Sequence, residues 1–244
     1  MEDLHAVSTS RPRPLQIGAV AAPSRAIRRY CRSMALLDDI YTEPDFDPDT
    51  LANLGPLGAM AGVWEGSGMD VHPFDPKVTP TEVDAFHERY ELQPIDPQTN
   101  GPQLLYGLRY HTHIVRPGEV ATFHDQVGYW LWEPASGTVM LTVAIPRGQV
   151  ALASGTCAPD ARTFTVRAVR GTTEFGICSA PFLEAAFTTT DFTMTVTIND
   201  DGTWSYEQNT RLQILGRDGV FEHTDENTLR RVEAPTPNPA AAEA

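Results

Sequence analysis

The chain changes texture at residue 61. Before it, apolar residues recur at helical spacing over 23–37, where Ile27, Tyr30, Cys31, Met34 and Leu37 share a face and Ser24 stands at the capping position. After it, apolar and polar residues alternate in short runs, the period of half-buried strands. The alternation predicts strands over 61–69, 85–93, 104–115, 120–133, 138–145, 148–154, 162–168, 173–178, 191–198, 203–208 and 227–232. Turn signals separate them: Arg116-Pro117-Gly118-Glu119, Pro134-Ala135-Ser136-Gly137, Pro146-Arg147-Gly148 and Asn199-Asp200-Asp201-Gly202. The last of these lies between Thr193–Ile198 and Thr203–Tyr206 and is the clearest hairpin.

Outside the strands the pattern breaks down. Residues 1–16 carry Ser, Arg and Pro without periodicity and read as a disordered leader. Residues 38–50 are acidic and interrupted by Pro44 and Pro48, as in a linker or wrapping arm, and 51–60 reads as a short helical turn. Residues 70–82 and 94–103 are Pro- and Asp-rich and read as loops. The Pro- and Ala-rich stretch 235–244 reads as a disordered tail. The expected organisation is an N-terminal arm over 1–50, a β domain over 51–234 and that tail.

Many short strands with no long helices between them speak against α/β units. A sandwich and a closed barrel both fit. A barrel would remove the strand edges and can enclose a ligand.

Composition narrows the partners. The 244 residues include 32 acidic and 18 basic side chains, a formal net charge of −14. Such a surface repels phosphate backbones and anionic lipid, so neither nucleic acid nor a membrane is an expected partner. The three cysteines, Cys31, Cys157 and Cys178, lack zinc or redox spacing and suit a reducing compartment. No apolar run is long enough for a membrane helix. Residues 14–22 are only mildly apolar and are followed by Arg25, Arg28, Arg29 and Arg32, so no signal peptide is read and the cytoplasm is the expected location. A homodimer is the ordinary assembly for such a chain, although no self-complementary surface is legible.

Candidate chemistry rests on histidines. His111 and His113 alternate on one strand and His124 opens the next. Either the first two are half-exposed strand residues, or all three converge on a metal. On the strand after His124, period two places Gln126, Gly128, Trp130 and Trp132 on the same side as that histidine. A His beside Trp residues fits a lined cavity and a satisfied core His equally. Glu88 and Glu91 are three apart and face opposite sides of a strand, so no paired acid and base is indicated. No nucleophile elbow is present, and the residues favour a binding barrel over a hydrolase.

The most distinctive stretch is Gly62-Val63-Trp64-Glu65-Gly66-Ser67-Gly68, a G-x-W-x-G-x-G pattern suited to a curved strand plugged by one large ring. Two further segments accompany it: His124-Asp125-Gln126-Val127-Gly128-Tyr129, and His223 shortly before Thr228-Leu229-Arg230-Arg231-Val232. In this order and spacing the three resemble the motifs of the nitrobindin family, β-barrels related in shape to fatty-acid-binding proteins. The resemblance covers about residues 55–233. It implies an all-β fold, a roughly ten-stranded antiparallel closed barrel with an N-terminal extension. It implies a ferric b-type haem ligated by His223, with His124 on the distal side. It also implies action on reactive nitrogen species, namely peroxynitrite isomerisation to nitrate or nitric oxide binding. Catalysis would then fall to His124 and iron ligation to His223. The segment between the two histidines is longer than in compact members, with an insertion expected near 181–190. The alternative function in the same fold is a haem-free carrier of a hydrophobic small molecule such as a fatty acid.

Overall fold

The computed structural model describes residues 39–75 and 77–243; the helix expected over 23–37 lies outside the described residues. Ten long strands build the wall: β1 (Gly62–Pro73), β2 (Thr81–Pro94), β4 (Gln103–Val115), β5 (Thr122–Glu133), β6 (Thr138–Ile145), β7 (Gln149–Thr156), β8 (Thr163–Val169), β10 (Phe187–Ile198), β11 (Trp204–Ile214) and β12 (Phe221–Glu233). Two short strands, β3 (Gln98–Asn100) and β9 (Ile177–Ser179), are added to it. The order around the wall is β2-β1-β12-β11-β10-β8-β7-β6-β5-β4. Antiparallel pairing of β2 with β4, from His87↔Val115 to Pro94↔Leu108, closes the ring. Closure decides between sandwich and barrel, because β2 then bonds a strand on each side; elsewhere in the wall β7 meets β8 through one ladder pair, Ser154↔Arg167.

Alternation along β1 shows how the wall forms. Gly62, Trp64, Gly68 and Asp70 are buried, while Glu65, Ser67 and Met69 are exposed. Gly68 is required by contact: a Cβ there would lie 2.2 Å from the Glu226 carbonyl oxygen and 2.5 Å from Phe86 Cζ. The bare backbone lets β12 and the Phe86 ring close over β1. Trp64 fills the space near the start of the strand. Its Nε1 donates to the Met60 carbonyl at 2.7 Å, its ring meets Trp204 edge-on at 6.1 Å, and the Arg231 guanidinium lies 4.7 Å from its centroid.

One end of the barrel is plugged. Helix α1 (Thr50–Asn53), capped by the Asp49 carboxylate accepting from the Ala52 N–H, leads into a 3-10 turn over Gly55–Met60. Leu54, Leu57 and Met60 are fully buried in one core with Trp64, Trp130, Trp132 and Trp204. Each such aliphatic side chain contributes roughly 1.5–3 kcal/mol by leaving water. The short helical turn expected over 51–60 is therefore the stopper of the barrel.

Several boundaries differ from the sequence reading. β1 runs to Pro73 and β2 starts at Thr81, so part of the loop expected at 70–82 is strand; β3 lies in the loop expected at 94–103. β12 starts at Phe221, six residues before the strand expected at 227, and His223 sits inside it. In each case cross-strand bonding overrides local composition: β1 pairs with β12 as far as Val71↔Thr224 and with β2 as far as Pro73↔Thr81. Residues 181–190 hold helix α2 (Pro181–Ala186), which leads directly into β10. Residues 235–243, read above as a disordered tail, fold back on the plugged end and include helix α3 (Pro239–Glu243). Asn238 is buried there; it accepts from the Thr50 N–H (3.2 Å) and donates to the Pro48 carbonyl (2.9 Å) and the Asp96 carboxylate (2.8 Å).

Candidate functional site

The inward-facing residues change character along the barrel axis. From the plugged end, β1 presents Trp64, Gly68, Asp70 and His72, and β12 presents Leu229, Asn227, Asp225 and His223. β5 presents Trp130, Gln126 and His124. An aromatic floor thus gives way to a polar belt and then to an imidazole-lined mouth. A cavity of about 420 Å³ occupies the upper two levels. His72, His124 and His223 all line it, as do Asp70, Glu88, Asp225, Tyr90, Tyr206 and the apolar Phe86, Ile114, Val143, Phe192, Met194 and Leu212.

His124 and His223 are brought together from 99 residues apart. Four strand steps separate β12 from β5 one way round the wall and six the other, so the two stand on opposing walls. His124 is placed by an irregularity in the ladder. Ile114 pairs with His124 but Val115 pairs with Thr122, which leaves Phe123 as an extra residue. Phe123 turns to the mouth, meets His72 edge-on at 5.9 Å and takes the Arg116 guanidinium over its face at 4.2 Å. Burial lowers the pKa of His124, and the nearby positive charge of Arg147 acts in the same direction. Its imidazole is therefore neutral at pH 7, beside Gln126 Oε1 at 3.4 Å.

His223 lies opposite Thr210 of β11, on the inner face of β12. Its Nε2 is 2.8 Å from Asp70 Oδ1. An ionised carboxylate only accepts, which makes Nε2 the donor and, in the neutral ring, leaves the lone pair on Nδ1. Asp70 reaches His223 because Asp70 and Asp225 are direct cross-strand partners, with His223 two residues further along the same face.

The polar belt was not legible in advance. Glu88 is buried and accepts from Thr112 Oγ1 (2.5 Å), Tyr206 OH (2.9 Å) and Asn227 Nδ2 (2.8 Å). Burial raises its pKa against the pull of those three bonds. Asp225 keeps some surface because it lines the cavity, yet loss of hydration raises its pKa well above the usual carboxylate range, helped by the charges of Asp70 and Glu88. Gln208 Nε2 donates to Asp225 Oδ2 at 2.7 Å. Tyr90, Tyr110 and Tyr206 have their phenol pKa values raised by burial. The missed signal was the continuation of the inner stripe: Gly68-x-Asp70-x-His72 on one strand and His223-x-Asp225-x-Asn227 on its partner.

The reading that joins His111, His113 and His124 in a metal triad fails on strand parity. Thr112 faces inward to Glu88, so its neighbours His111 and His113 face out. His111 Nε2 lies 3.0 Å from Asp125 Oδ2 and His113 Nε2 3.0 Å from Thr122 Oγ1, on the outer face, while His124 lines the cavity. His87 is also outside, against Ser67 Oγ at 2.7 Å. Cys157 and Cys178 are free thiols. Among the described residues no helix is long and apolar enough to cross a membrane.

Residues 53–231 match a family model described as THAP4-like, heme-binding beta-barrel domain. The chain belongs to this family. The THAP4-like span takes in the Gly62–Gly68 motif, both cavity histidines and the whole polar belt. The resemblance to nitrobindins read from the sequence names the same THAP4/nitrobindin-like group. Among solved structures, the crystal structure of Rv2717c from M. tuberculosis superimposes with a TM-score of 0.51 at 20% identity, over 77% of this chain and 99% of that one. At that identity the likeness is one of fold. No curated protein matches the chain.

The cavity fits the haem that the THAP4-like family description implies. It offers an apolar wall, a neutral imidazole on one side, and on the other an imidazole with one ring nitrogen anchored to a carboxylate and one carrying a lone pair. That anchoring is the usual support of a metal-bound histidine.

Proposed function

We propose that the chain binds a b-type haem, ferric at rest, through His223 with His124 on the opposite wall, and acts on reactive nitrogen species. The observation that carries this reading is the meeting of these two histidines in one cavity of a haem-binding-family barrel. Ferric haem held there would supply a Lewis-acidic iron suited to peroxynitrite isomerisation and nitric oxide binding. The chain's own part is to hold, orient and limit access. Asp70 fixes the ring of His223 by accepting from its Nε2. His124, neutral and close to Gln126, offers a nitrogen lone pair or an N–H to a small ligand on the far side. Arg147 lines the same cavity and offers an anion a guanidinium there. Phe86, Phe192 and Met194 keep water from the apolar faces of a planar ligand.

Hemin titration of the purified protein tests the assignment. The expected result is a stoichiometric Soret band that His223→Ala abolishes or shifts, and nitrate formation from peroxynitrite that is lost with it. An identical spectrum in the variant overturns the ligation. Protein that takes up no hemin but retains an apolar molecule in native mass spectrometry points to the hydrophobic-carrier function instead.

A further inference from the structure

The belt beneath His223 gathers acidic side chains beyond the one that anchors its ring. Asp70 and Asp225 face each other across β1 and β12, and like charges directly opposite in a ladder destabilise it. Glu88, also on the cavity wall, adds a third carboxylate. Among the described residues, no Lys or Arg forms an ion pair with Asp70 or Asp225; His223 is the partner of Asp70. A ligand oxygen from each aspartate and a ring nitrogen of His223 lie within 4.8 Å of one another.

We propose that Asp70, His223 and Asp225 form a binding site for a divalent first-row transition-metal ion, of the Zn²⁺, Fe²⁺ or Mn²⁺ class, in the haem-free protein. One imidazole and two carboxylates suit such ions, which take mixed nitrogen and oxygen donors. The cation takes the place of the proton between His223 and Asp70; the ring stays neutral by carrying its one proton on Nδ1, and any carboxyl proton held by the aspartates passes to solvent. Three features support a built site. The ligands stand on two paired strands, which hold a first shell more closely than loops do. Gln208 Nε2 holds one oxygen of Asp225 and so orients the carboxylate from behind. The cavity admits the ion and leaves room for water or a small ligand at open coordination positions. A second grouping, His72, Glu82 and Asp84, lacks this character: Arg116 already binds Asp84 through Nε at 2.9 Å and Nη2 at 2.6 Å, so its charge is met within the protein.

This inference does not rest on haem binding. The two ligands need the same imidazole, so each excludes the other. Titration of haem-free protein with Co²⁺ and with Zn²⁺ tests it. The expected result is one ion per chain, visible d–d bands from Co²⁺, and a rise in melting temperature on adding Zn²⁺. Asp225→Asn and Asp70→Asn should each weaken binding about tenfold or more, and Asp84→Asn should leave it unchanged. Circular dichroism of the variants confirms that they fold, and the isosteric Asn changes keep shape while removing charge. Absence of saturable binding in the wild type overturns the proposal. So does binding that survives in both belt variants or is lost in Asp84→Asn. Hemin uptake by the same preparation is read separately, so failure of either assignment is visible without the other.

Discussion

Glu88 offers the sharpest test of how the belt is held. It receives three donors, Thr112 Oγ1, Tyr206 OH and Asn227 Nδ2. Glu88→Ala leaves all three without that acceptor. An orphaned buried donor costs about 1–3 kcal/mol. Thr112 and Tyr206 line the cavity and can turn to water there, so the expected loss at pH 7 is about 2–4 kcal/mol. Glu88→Gln separates charge from shape. Burial raises the folded-state pKa above the ordinary value of 4.5. Below that value the carboxyl is protonated in both states and contributes no pH dependence. As pH rises through it, the unfolded chain gives up the proton while the folded chain retains it, so wild-type stability falls until the folded group ionises too. Glu88→Gln should therefore gain stability relative to wild type with rising pH and then level off. Urea unfolding of haem-free wild type and variant at intervals between about pH 4 and 8 measures this. Parallel stability curves, or a wild type that gains on the variant as pH rises, would refute a belt strained by buried charge.

Two further outcomes follow from packing. Gly68→Ala should destabilise the barrel by about 1–3 kcal/mol in chemical denaturation, since its Cβ meets the Glu226 carbonyl and the Phe86 ring at 2.2 and 2.5 Å. It should also weaken hemin uptake, because Asp70 lies two residues on along the same strand. Asn238→Ala removes bonds to Thr50, Pro48 and Asp96 and should cost about 1–3 kcal/mol. Faster amide exchange at Thr50 and Ala240, read by mass spectrometry, would mark the release of the tail from the plug; unchanged exchange would mean the tail is held by other contacts.

The sequence by itself determined the wall. Period-two alternation, Gly/Pro/Asn/Asp turns and the G-x-W-x-G-x-G stretch are local signals, because strand geometry and turn chemistry are set by a few adjacent residues. They located most of the strands and, through the motif order, the two histidines at the mouth. Local signals also misled where composition and pairing disagreed. Asp70, His72 and His223 sit in segments that read as loop or as the approach to a strand, yet β1, β2 and β12 continue through them because each backbone finds a partner. Which residues share an interior was decided only by the tertiary structure. Pairing of β1 with both β2 and β12, and of β12 with β11, puts Glu88 on Tyr206 and Asn227, which are 118 and 139 residues away in the chain. Cross-strand register puts Asp70 opposite Asp225, and parity turns His111 and His113 outward while His124 turns in. Charge burial and its consequences for pKa arise from that enclosure, since a carboxylate loses its water only when distant strands close around it.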